Sequence, residues 1–168
     1  MVVMSVELID WAKIEPISMV LFLERFTLHD SDYVRMTAGD GDVVLDMWFD
    51  LIWNQMVPGE YGRLLIRFEC VYVLKCVTGN WDQTTIGDAL ATVLSESERE
   101  KMLESSDFEL GAYGSELNRE HPTFDESLTR TEITMINNCV IELLHGGAVR
   151  AVVMNDKGGY LDVAGLAG

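Results

Sequence analysis

Basic residues are scarce in this chain. Twelve lysines and arginines face 28 aspartates and glutamates, for a net charge of −16. A surface this negative repels phosphate backbones and anionic headgroups, which excludes nucleic acid and acidic membrane as expected partners. Histidine is scarcer still: His29, His121 and His145 share no metal-ligand spacing, so no structural metal is expected. Cysteine is sparse and odd in number, at Cys70, Cys76 and Cys139. On one extended strand Cys70 and Cys76 would lie about 20 Å apart, too far to bridge. All three therefore read as small core residues of a reducing compartment. The most apolar run, Ile17 to Leu23, is seven residues and too short to span a bilayer. The opening MVVMSVELID lacks the basic and apolar regions of a signal peptide. The expected location is cytoplasmic. Catalytic signatures are missing as well. No serine sits in a Gly-x-Ser-x-Gly elbow, and Gly111-Ala112-Tyr113-Gly114 lacks the lysine of a phosphate loop. No cofactor is expected.

What is present fits a globular chain. Hydrophobic residues make up 48% and charged residues 24%, enough to bury a core over 168 residues, so a single domain over 1–168 is expected. The organising stretch is Tyr61 to Val77, YGRLLIRFECVYVLKCV. Leu64, Ile66, Phe68, Cys70, Tyr72, Leu74 and Cys76 hold the even positions, and Arg63, Arg67, Glu69 and Lys75 the odd ones. Alternation of period two predicts one long or bent strand with a core face and a mixed face.

The flanking segments complete an α+β expectation: an antiparallel meander around 33–77, C-terminal hairpins, and helices at the N-terminus and around 84–104. Val6 to Ile14 suits a short helix. A second, with Pro16 in its first turn, would reach Phe26 and bury Ile17, Val20, Leu21 and Leu23. Tyr33 to Ala38 and Val43 to Trp53 read as a hairpin around Gly39-Asp40-Gly41-Asp42. A helix from Asp42 is the rival, because Asp42, Asp46, Asp50 and Asn54 recur every four residues. From Thr84 or Thr85, Ile86, Leu90, Val93 and Leu94 have helical spacing. Ser95 with Glu98 then forms a capping box that opens a further helix to Glu104. Ser105 to Asp125 reads as a long loop. Leu128 to His145 suits either one helix or two strands, Arg130 to Ile136 and Cys139 to His145, and the threonines and asparagines favour strands. Ala148 to Met154 and Tyr160 to Val163 form a last hairpin around Asn155 to Gly159.

Two polar clusters are candidate sites. His29, Asp30 and Asp32 could supply an acid–base pair or part of a metal site, although a turn or N-cap explains them as well. Asp40, Asp42, Asp46 and Asp50 surround Trp48. Asp40 and Asp42 resemble the start of a calcium loop, but Leu45 holds the place of its glycine and Leu51 that of its closing glutamate. If their strand face meets solvent, a tryptophan among carboxylates is a protein-binding anchor. Asp40, Asp42, Asp46, Trp48 and Asp50 are therefore the expected partner-binding residues.

The order Phe26-x-Leu28-His29-Asp30-Ser31, a hairpin, then Leu65-Ile66-x-Phe68-x-x-Val71 resembles the start of small bacterial domains of unknown or immunity function. These often accompany polymorphic or contact-dependent toxins. The resemblance covers residues 26–77 and assigns no individual role. It implies a cytoplasmic, non-enzymatic acidic protein that binds and blocks a toxin. The leading expectation is thus an acidic protein-binding module with a basic protein partner. A small enzyme at His29, Asp30 or Asp32 is one alternative. A structural or regulatory subunit that forms homo-oligomers through a sheet edge is another.

Overall fold

A computed structural model of the chain describes residues 9–38, 44–51, 60–71, 73–77, 84–104 and 127–166. It is a sheet-rich antiparallel fold with few helices. The strands are β1 (Ile17–Ser18), β2 (Asp32–Ala38), β3 (Leu45–Asp50), β4 (Arg63–Phe68), β5 (Val73–Val77), β6 (Ile86–Val93), β7 (Thr129–Met135), β8 (Val140–His145), β9 (Ala148–Met154) and β10 (Tyr160–Asp162). The helices are α1 (Met19–Arg25), α2 (Glu96–Glu104) and α3 (Val163–Leu166). One sheet runs β1-β9-β4-β3-β2, with β10 also on β9; the other runs β5-β8-β7-β6.

The expected meander is present as β2-β3-β4, and the hairpin rather than the helix occupies residues 32–50. Its turn, with Asp40 and Asp42, lies outside the described residues, as does the segment Ser105 to Asp125 expected to be a loop. The stretch 61–77 is not one strand. It breaks at Cys70, which holds a left-handed φ of 53°. Beyond the break β5 joins the other sheet. No glycine or proline marks that corner. Leu64, Ile66 and Phe68 are buried as their parity requires, yet Leu65 is buried too, and Cys70 and Cys76 are exposed. β4 is covered on both faces, and burial on both faces erases strict alternation. Of the three cysteines only Cys139 is a core residue; none forms a disulfide.

The chain returns between sheets at Gly146 and Gly147, which join β8 to β9. Gly146 N–H donates to the carbonyls of Glu69 and Cys70, at 3.2 and 3.1 Å. The two inter-sheet passages therefore run side by side. Between the sheets lies the main core: Met47, Phe49, Ile66 and Val153 from one sheet, Ile133, Ile141 and Leu143 from the other, and Phe22 of α1 stacked at 5.1 Å on Phe26, which follows the helix.

α1 starts later than expected. Ser18 caps it by accepting from Leu21 N–H at 3.1 Å, and Ile17 belongs to β1. The buried positions of α1 are Met19 and Phe22, with Phe26 just beyond its end, while Val20, Leu21 and Leu23 are half-buried. The described part of the expected first helix holds only a 3-10 turn, Trp11–Lys13. Residues 86–93 are a strand, not a helix. The bulge at Gly87 shifts the register, so Ile86 and then Ala89 and Ala91 face the core, while Leu90 points out. Helical spacing of Ile86, Leu90 and Val93 arises from this parity change at an edge strand. The capping box is present: Glu98 N–H donates to Ser95 Oγ at 3.2 Å and Ser95 N–H to Glu98 Oε1 at 3.3 Å. The Ser95 N–H, together with the Ser95 hydroxyl that donates to Oε1 at 3.1 Å, holds the Glu98 carboxyl below its ordinary pKa. Residues 129–145 are two strands around an Asn137-Asn138 turn, with Asn138 at φ 69°. The final hairpin closes on Asn155, whose side-chain oxygen accepts from Lys157 and Gly159 N–H at 3.0 and 2.8 Å. Val163–Leu166 forms α3, and Val163 is buried.

Candidate interaction surface

Strand alternation puts Asp46, Trp48 and Asp50 on one face of β3, as expected. That face does not meet solvent at its centre. Residues 9–14 lie across it, and Ile9, Ile14, Trp48, Leu65, Val152 and Met154 form a second, smaller core there, with Trp11 packed against it. Trp48 is 3% exposed and Asp46 is 2% exposed. Arg67 donates two parallel bonds to Asp46, at 2.8 and 2.9 Å, and its guanidinium lies 4.2 Å from the Trp11 ring centre. Arg150, opposite Arg67 on β9, donates to Glu69 at 3.0 Å and to the backbone carbonyls of Trp11 and Ile14. Arg35 lies over the Trp48 ring at 4.8 Å, and Arg63 is 3.6 Å from Asp50. Four of the chain's eight arginines are used on this face.

The expected anchor is thereby corrected. Trp48 offers no surface to a partner, and the charge of Asp46 is matched at contact distance. Asp50 is exposed but beside Arg63. The alternation was legible; the cover of residues 9–14 was not, because its apolar residues carry no mark of their destination.

The histidine cluster is a splice between strands. Asp30 N–H donates to Ile86 C=O, Ile86 N–H to Ser31 C=O, and Tyr33 N–H to Thr84 C=O, at 2.8–3.0 Å. Asp30 takes a φ of 66° and pairs with His29 at 3.1 Å in an exposed position. Asp32 instead accepts from Thr85 Oγ1 at 2.9 Å. The two carboxylates thus serve different partners. Among the described residues no three His, Cys, Asp or Glu side chains converge as metal ligands. A shallow depression of about 320 Å³ at Glu60, Gly62, Asn155, Asp156 and Lys157 brings no nucleophile next to a base.

Among the described residues, the most open apolar surface is one that sequence reasoning missed. It runs along β6, the edge of the four-stranded sheet, which pairs only with β7 among the described strands. Leu90 is 58% and Val93 48% exposed, and Ile136, whose side chain lies next to Gly87, is 57% exposed. Asp88 is the one charge of the strand. Glu132, opposite Leu90 on β7, faces Glu142 on β8, and the acidic first turn of α2 follows β6. Arg130 is 3.3 Å from Glu142. Among the described residues no cation pairs with Asp88, Glu96, Glu100 or Glu132. The signal in the sequence was the β-branched run of Thr84, Thr85, Thr92 and Val93, which helical spacing obscured.

Fold and surface define a two-sheet antiparallel protein with an acidic, partly apolar edge. No protein-family model, curated protein or solved structure matches the chain. No helix among the described residues is long and apolar enough to cross a membrane.

Proposed function

We propose that the chain is an acidic, non-enzymatic module of the cytoplasm that binds a basic protein. An immunity-type inhibitor of a basic toxin is the form suggested by the resemblance of residues 26–77. The observation that carries this reading is the distribution of charge. The net charge is −16, and Arg63, Arg67, Arg130 and Arg150 each pair with a carboxylate of the same chain. The remaining carboxylates leave a negative field that accelerates encounter with a positive partner. The β6 edge, rather than Trp48, is the apolar surface within that field. Cys70 and Cys76 are exposed and outside any disulfide, which suits a reducing compartment.

The test is isolation from a host extract, followed by reconstitution from purified components. The expected partner is basic and binds at fixed stoichiometry, and its association slows as salt rises from about 0.01 to 0.15 M and the Debye length falls from about 30 to 8 Å. A purified partner whose association is indifferent to salt would reduce the charge to a solubility device. Self-association through a sheet edge is the second reading, favoured by the apolar exposure of β6; sedimentation that shows a dimer across a hundredfold dilution would select it. An enzyme at His29, Asp30 and Asp32 has less support, because Asp30 and Asp32 are committed to different partners.

A further inference from the structure

We infer that β6 is an acceptor edge for strand addition, and that its occupant is an extended segment of alternating basic and β-branched residues supplied by the partner. This rests on the reading of a basic partner and adds the mode by which that partner is held.

The backbone is oriented for it. Ala89 N–H donates to the Asp88 carboxylate at 2.9 Å, and Leu94 N–H donates to Leu128 C=O at 2.9 Å. Neighbouring residues of a strand direct their backbone groups to opposite sides. The N–H and C=O groups of Ala91 and Val93 therefore point off the sheet, on the side where no described strand lies.

The Ile86 end of the edge is bonded to Asp30 and Ser31, and α1 packs against β6, but the part from Asp88 to Val93 lacks the usual protections within the strand itself. Natural edges are blunted by lysine, proline, bulges or short length. β6 has eight residues, no lysine and no proline, and its bulge sits at Gly87, before the exposed part. The edge strand β2 differs: its register slips between Tyr33 and Arg35, which places a bulge at the exposed Val34.

Charge selects the occupant. On the outer face an added strand would lie beside Asp88, with Glu132 one strand further in, and basic side chains there would run their stems over Leu90. On the other face it would lie beside Ala91 and Val93, where β-branched side chains fit. A second copy brings Asp88 and the same net charge of −16 against itself, so it is the less complementary occupant.

The experiment uses the full chain and three capped, dye-labelled nine-residue peptides, followed by fluorescence anisotropy. One alternates lysine and valine. The second has the same composition with the lysines in one block. The third alternates glutamate and valine. The alternating basic peptide is expected to bind, with the blocked and acidic peptides about tenfold weaker or worse. Leu90→Lys, at an exposed position, and Val93→Pro, which removes only an outward N–H, are each expected to weaken binding about tenfold. Slowed exchange of the Ala91 and Val93 amides on peptide addition to the unaltered chain tests the same contact without a substitution. Equal binding of the two basic peptides, or unchanged exchange at Ala91 and Val93, would overturn strand addition and leave the basic-partner reading standing. Binding of neither basic peptide above the acidic one at low salt would overturn both. A dimer that Leu90→Lys dissociates would give the edge to a second copy, and would also overturn the inference.

Discussion

Arg67 grips Asp46 through both carboxylate oxygens, at 2.8 and 2.9 Å, beneath the ring of Trp11. The pair holds β4 to β3 on the covered face of the larger sheet, where the Asp46 side chain is 3% and that of Arg67 19% exposed. Removing one partner of such a pair strands the other charge in a poorly hydrated site, which typically costs about 3 kcal/mol. Asp46→Asn is therefore expected to lower the unfolding free energy by about that amount, and to leave the association rate with a basic partner unchanged. Asp46→Leu combined with Arg67→Met should recover most of the loss, because no unpaired charge remains. Chemical denaturation of the three variants checks this. A single substitution costing under about 0.5 kcal/mol would show the pair to behave as an exposed one.

Gly147 tests the inter-sheet crossing. A Cβ there would lie 2.4 Å from the carbonyl oxygen of Ser127 and 3.1 Å from Thr129 Oγ1. Ser127 C=O already accepts from Thr129 Oγ1 at 2.7 Å, and Gly147 C=O accepts from Met19 N–H at 2.9 Å. Backbone is thus fixed on both sides and cannot give way cheaply. Gly147→Ala is expected to cost about 2–3 kcal/mol through overpacking. Gly62→Ala, where nothing lies within 4 Å, should stay within about 0.5 kcal/mol. Thermal melts of the two variants separate these outcomes, and equal melting temperatures would contradict the crossing as described.

The sequence carried the strands whose two faces differ and lost those whose faces do not. β7 alternates without error: Thr129, Thr131, Ile133 and Met135 are buried, while Arg130, Glu132 and Thr134 lie between them. Threonine-rich composition therefore outweighed the helical spacing of Leu128, Glu132 and Met135. β4 and β6 failed for opposite reasons. Burial of Leu64, Leu65 and Ile66 hid the sheet change at Cys70, since a continuous apolar run does not say where it bends. In β6 the Gly87 bulge moved the core face from Ile86 to Ala89 and Ala91, leaving Leu90 outside to complete a false helical stripe. The candidate site suffered from the same limit. Parity placed Asp46, Trp48 and Asp50 together, but whether a sheet face is wet depends on what crosses it. Here that is residues 9–14, more than 30 positions away in sequence.

His145 gives the fold a pH dependence with a definite sign. It is fully buried at the end of β8, with its ring edge-on to Phe68 at 4.9 Å. Nδ1–H donates to Gly146 C=O, so the neutral ring's Nε2 accepts from Thr131 Oγ1–H at 2.7 Å. Both nitrogens are satisfied by one neutral tautomer, and protonation would place a second N–H against the hydroxyl in a dry site. Burial accordingly pushes the pKa from 6.5 down to about 4, against the opposing pull of the Gly146 carbonyl. The unfolded chain binds this proton first, so the contribution of His145 is complete above pH 6.5 and is lost as pH falls toward 4. The slope is about 1.4 kcal/mol per pH unit, for a total of about 3 kcal/mol across the window. His145→Leu removes the titration. It should lower stability at pH 7.5, where Thr131 Oγ1 loses its acceptor, yet flatten the dependence between pH 6.5 and 4.5 relative to the unaltered chain. Urea denaturation at four pH values in that interval measures the difference of slopes. Parallel curves for the two proteins would mean that His145 takes up its proton without leaving the folded state, and that the Thr131–His145–Gly146 chain of bonds is open to water.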